Sequence, residues 1–166
     1  MNTVNTKTGR AGPAVASLLQ QLDEAFDVRS WHGTNLRGSL RGLSPKVAAW
    51  RVSPRRHNIW ELAVHAAYWK YAARRRLTGA RRGDFPLSGS NWFPRPVKAT
   101  AAAWQADLAL LAEEHARLRA AIAKLRDSDL SRRLGRGTVG FLVRGVASHD
   151  LYHAGQIQLL KRLCPY

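Results

Sequence analysis

From Trp104 to Leu125 the bulky positions recur in alternating steps of four and three: Trp104, Leu108, Leu111, His115, Leu118, Ile122 and Leu125. That spacing places all of them on one face of an α-helix, as a heptad-like inward stripe. A long helix with one apolar stripe is stable in water only when other elements cover the stripe, so the fold must supply them. The composition indicates that those elements are helices as well. Ala and Leu supply 46 of the 166 residues and Val and Ile only 13, a balance that favours helix over a sheet-based core.

Three further segments complete the set. A helix is predicted from about Pro13 to Arg29, with proline in its first turn and Leu18, Leu22 and Phe26 on one face. After Trp31-His32-Gly33-Thr34, Leu36, Leu40 and Leu43 predict a short helical continuation, and residues 44–57, with Pro45 and Pro54, read as a loop. Asn58 followed three positions later by Glu61 is a capping box, opening a helix that runs to about Leu77 and ends near Gly79. Residues 79–98 hold three glycines and three prolines, an irregular connection of a length that often covers a site. After a polar break at 127–137, Thr138 caps a last helix reaching about Leu163. The expected fold is all-α: a four-helix bundle with one long crossover loop, a single domain over residues 13–166 behind a flexible tail over residues 1–12.

The last helix carries the chemistry. Its predicted stripe is Leu142, Val146, His149, His153, Gln156 and Leu160, so two imidazoles one turn apart stand where leucines belong. Each buried neutral imidazole needs partners for both ring nitrogens. Two core histidines bonded to carbonyls would meet that need, and so would a divalent metal, for which neutral imidazole is a common ligand. Two ligands rarely suffice, and His65, lying between Leu62 and Trp69 on the side expected to face inward, is the best third. His115 has no ligand partner on its own face and reads as a core histidine, while His57 and His32 sit at helix boundaries and read as cap or surface residues. Glu61, one turn before His65, can accept its second N–H, although the capping box is the preferred role. Gln156, three residues beyond His153, faces the same cavity.

Other patterns fail on context. Gly135, Gly137 and Gly140 spell a dinucleotide fingerprint, but no strand is expected before them and no parallel sheet is available. His149-Asp150-Leu151-Tyr152-His153 has the histidine spacing of a zinc protease with a shorter Asp in place of Glu, a weak match. The chain has 27 basic and 11 acidic residues, a net charge of +16, with arginines grouped at 74–76, 81–82 and 132–136. Such a chain attracts polyanions non-specifically at low salt, or steers a small anionic substrate. No recognition helix or zinc module accompanies the charge, so nucleic-acid binding ranks below a metal function. One cysteine, Cys164, forms no internal disulfide, and neither a leader nor a long apolar run is evident, so a cytoplasmic, non-membrane protein is expected.

Gly145 to Leu160, Gly-Val-Ala-Ser-His-Asp-Leu-Tyr-His-Ala-Gly-Gln-Ile-Gln-Leu-Leu, closely resembles the C-terminal signature of the DinB/YfiT-like superfamily. Asn58 to Trp69 is similar to that family's second-helix motif, and Trp31-His32-Gly33 to a motif of one branch; the resemblance spans roughly residues 15–163. It implies a four-helix bundle holding one divalent metal ion through three side chains, here His65, His149 and His153. Glu61, Gln156, His32 and Trp69 are then outer-layer or pocket candidates. Relatives include bacillithiol S-transferases and the mycothiol-dependent maleylpyruvate isomerase, and relatives are often homodimers. The resemblance therefore implies an enzyme that activates a low-molecular-weight thiol for attack on a small electrophile. A hydrolase built on the same site and a catalytically silent interaction protein are the alternatives. Zinc and nickel both suit imidazole ligands.

Overall fold

The computed structural model of the protein describes residues 11–166. The tail expected over residues 1–12 lies, up to residue 10, outside the described residues. Among the described residues there are six α-helices, and four of them are long: α1 (Pro13–Phe26), α4 (Ile59–Thr78), α5 (Ala101–Ile122) and α6 (Val139–Leu163). The short helices α2 (Leu36–Leu40) and α3 (Pro45–Ala49) lie between α1 and α4. In the bundle α1 packs on α6, α6 on α4, α4 on α5, and α5 back on α1. No helix is long and apolar enough to cross a membrane.

Local chemistry sets the boundaries. Asn58 accepts from the Glu61 N–H while the Glu61 side chain accepts from the Asn58 N–H, the expected capping box, and Gly79 closes α4 in the left-handed region at φ 72°. Thr100 and Thr138 cap α5 and α6 by accepting from the N–H groups of Ala103 and Phe141. The N-terminus of α1 has a distant cap: Asp127 accepts from Ala14 N–H at 3.1 Å and Val15 N–H at 2.9 Å. Its carboxylate thereby meets the positive end of the helix dipole.

Two segments depart from expectation. The loop read over residues 44–57 contains α3, because Ser44 caps the Val47 N–H at 3.3 Å and Pro45 presets the first turn. The polar break before α6 is ordered by a 3-10 turn (Asp127–Ser131) and a two-residue antiparallel pair, β1 (Arg133–Leu134) with β2 (Gly137–Thr138).

The buried face of α6 is also rotated from the predicted stripe. It runs through Val139, Val143, Val146, Ala147, Asp150, His153, Ala154, Ile157 and Leu160. The centre of that face is Asp150, fully buried against Lys70 of α4, whose ammonium donates to it and lies 4.8 Å from the Phe26 ring centroid. His149 is thereby displaced to the edge of the face and is only half-buried.

His115 is a core histidine as expected, but no carbonyl holds it. It stacks on Phe26 at 3.8 Å, its Nε2 lies 3.8 Å from Asp23, and its Nδ1 has no partner. Burial, with the nearby cations of Lys70, Arg119 and Arg37, pushes its pKa down to about 3. The unfolded chain takes up a proton near pH 6.5 that the folded chain refuses, so this contribution is intact above about pH 6.5 and lost as pH falls towards 3. Urea titrations at a series of pH values should show His115→Leu with a shallower acid decline, by up to about 1.4 kcal/mol per pH unit.

Candidate metal centre

His65 sits mid-way along α4, and His149 and His153 lie one turn apart on α6, on the side that faces α4. The three imidazoles converge. His149 Nε2 is 3.2 Å from His65 Nε2 and 3.0 Å from His153 Nε2, and the ligating atoms of all three lie within 4.8 Å of one another.

The outer nitrogens fix the tautomers. His65 Nδ1 lies 2.8 Å from the Asn91 carbonyl oxygen, which only accepts, so Nδ1 carries the proton and Nε2 a lone pair. His153 Nδ1 donates to Gln156 Oε1 at 2.7 Å, which again leaves the lone pair on Nε2. Asn91 is held at φ 66°, a left-handed conformation that asparagine tolerates. There its carbonyl meets His65 and its side-chain oxygen accepts from Trp69 Nε1 at 2.9 Å. The Trp92 ring stacks between His57 and His65, at centroid distances of 3.6 and 3.8 Å.

Burial keeps these imidazoles neutral. It pushes His65 down to about 4 and His149 to about 3, and it lowers His153 against the opposing bond to Gln156. Two inward lone pairs then face His149 Nε2, which can donate to only one of them. Its own Nδ1 is buried without a partner, so either tautomer of His149 leaves a polar atom unsatisfied. A cation among the three Nε2 atoms removes the conflict between them. Ligands at about 2.0–2.1 Å in tetrahedral geometry stand about 3.3 Å apart. The two Nε2 separations of 3.2 and 3.0 Å come close to that spacing. The residues present fit a divalent ion.

The other candidates are distributed as follows. Glu61 does not reach His65. It accepts from Arg51 at 2.5 and 2.8 Å, from His57 at 3.0 Å and from the Arg95 N–H at 3.3 Å. Burial pushes the Glu61 carboxyl up, but these bonds outweigh it and hold it below the usual carboxylate range. Gln156 orients His153, and Trp69 holds Asn91. His32 lies on an exposed turn with its Nε2 3.0 Å from Ser30 Oγ. Asp150, the residue in the protease-like spacing, is on Lys70 and takes no part in the convergence. Asn91 and Trp92 carry no signal in the sequence beyond their place in the long irregular connection.

A sequence profile of the DinB superfamily matches residues 29–157, a stretch that contains all three histidines and runs from before α2 into α6. The chain belongs to the DinB superfamily. Comparison with the curated proteins and with the solved structures gives no match. The mostly helical fold is that of a DinB-like protein, and its three close histidines are a possible metal site.

Proposed function

We propose that this DinB-like protein holds one divalent ion, zinc or nickel, on His65, His149 and His153, and uses it in an enzymatic reaction between a small thiol and a small electrophile. The observation that carries the reading is the convergence of three Nε2 atoms on neutral imidazoles whose outer nitrogens are set by Asn91 and Gln156. Three protein ligands leave a coordination position open. A divalent ion in such a site lowers the pKa of a thiol or water it binds to near neutral.

The chain's own contribution is placement and exclusion. Asn91 and Gln156 keep two imidazoles in the tautomer that presents a lone pair inward. Trp92 stacked on His65 and Trp69 against Asn91 shield that flank from water. Glu61 is engaged by Arg51 and His57, and Asp150 by Lys70, so neither carboxylate is poised as a base at the cluster. Cys164 follows the last residue of α6, eleven positions after His153, about 16 Å along a helix axis. The nucleophile therefore comes from solution, and a thiol fits ahead of water because soft ligands suit the candidate metals.

Metal-loaded protein incubated with a panel of electrophiles, with and without low-molecular-weight thiols, tests this directly. The expected result is turnover that requires both the thiol and His149. Turnover without thiol would assign a hydrolase, and no turnover across the panel would leave a binding protein.

A further inference from the structure

A second cavity, of about 310 Å³, lies on α4 beneath the long connection that follows it. Tyr68, Tyr71 and Arg75, at helical spacing on one face of α4, form one wall; Arg82, Ser88 and Ser90 belong to the other. The Phe85 ring packs 5.4 Å from Tyr68 and 5.3 Å from Tyr71, so the lining is aromatic as well as basic.

No carboxylate lines this cavity. Asp84, the nearest acid in sequence, is bonded to Arg74 at 2.8 Å, and among the described residues neither Arg75 nor Arg82 has an ion-pair partner. The larger cleft between α2 and α5 differs in this respect, because its Arg37 already pairs with Asp27 at 3.1 Å. Guanidinium groups present planar forks of N–H donors that match carboxylate and phosphate oxygens, and serine hydroxyls add further donors. A volume near 300 Å³ is at the small end of ligand pockets, enough for one ring and its substituent.

We propose that this cavity binds a small aromatic oxyanion, an aryl carboxylate or aryl phosphate, with its anionic group on Arg75 and Arg82 and its ring against Tyr68 and Phe85. The assignment does not rest on the metal reading. The two sites are nevertheless joined through the backbone: Ser90 precedes Asn91, whose carbonyl holds His65, and Tyr68 precedes Trp69, which holds the Asn91 side chain.

The full chain as purified should be titrated with phenyl phosphate, benzoate, inorganic phosphate and benzyl alcohol while amide and aromatic NMR shifts are followed. Saturable shifts centred on Tyr68, Gly83 and Ser90 are expected for the two aromatic anions, with inorganic phosphate and benzyl alcohol about tenfold weaker or worse. Arg75→Gln and Arg82→Gln should each weaken binding about tenfold or more, whereas Arg81→Gln stays within about twofold. His149→Ala should leave the titration unchanged. Affinity that survives both glutamine substitutions, or equals that of inorganic phosphate, would reduce the effect to diffuse attraction by a +16 chain and overturn the proposal. Loss of binding in His149→Ala would overturn it too, by placing the anion at the histidine cluster.

Discussion

Asp150→Ala should cost the fold about 3–5 kcal/mol, because it strands the Lys70 ammonium in the bundle interior without a counter-charge. Both side chains are 0% exposed, and Lys70 has no other acceptor among the described hydrogen bonds. Domains of this size are stable by about 5–15 kcal/mol in total, so the loss is a large fraction and should lower the melting temperature by about 10 °C. The double variant Lys70→Met with Asp150→Leu should recover most of it, since well-packed apolar residues often replace a buried ion pair at little cost. Urea unfolding of the three proteins at neutral pH measures both effects. A single variant within about 1 kcal/mol of the parent would mean that the pair is not buried as described.

Zinc or nickel should produce a shift of similar size in the other direction. At a free concentration about a thousand times its dissociation constant, an ion that binds only the folded chain adds about 4 kcal/mol. His149→Ala should abolish that gain. The same substitution should cost the metal-free protein much less than that, because the one hydrogen bond His149 can give to the inward lone pairs is offset by removal of a buried nitrogen that has no partner. Gln156→Ala should retain the ion but weaken it about 10–100-fold, as loss of the group orienting a ligand imidazole does. Thermal melts with and without metal separate these outcomes.

Much of this arrangement was legible along the chain, and the exceptions share a cause. Caps are local chemistry, so Asn58 with Glu61 and Thr138 could be read directly, and the α5 stripe followed from its spacing. The α6 stripe was displaced by about one position because Asp150 has no place on an apolar face unless something neutralises it. Its partner Lys70 lies 80 residues earlier, and only the packed helices bring the two together. The same displacement moves His149 from the centre of the buried face to its edge, where its Nε2 meets His65. His65, His149 and His153 were readable from helical spacing and from the resemblance. Asn91 was not, since its role depends on a left-handed backbone at φ 66° inside an aperiodic segment. His57 is exposed at the start of α4, as expected of a helix-boundary residue, and from there it bonds to Glu61 one turn on and stacks on Trp92, the contact that no local pattern carries.

Metal analysis of the full chain, purified without chelator or metal-affinity resin and paired with X-ray absorption at the edge of the bound metal, decides whether the three histidines hold an ion. About one zinc or nickel ion per chain is expected, with three imidazole nitrogens at about 2.0–2.1 Å, and loss of the ion in each of His65→Ala, His149→Ala and His153→Ala but not in His115→Ala. A protein that takes up no divalent ion, or one whose ion persists when His149 is replaced, would contradict the three-histidine site.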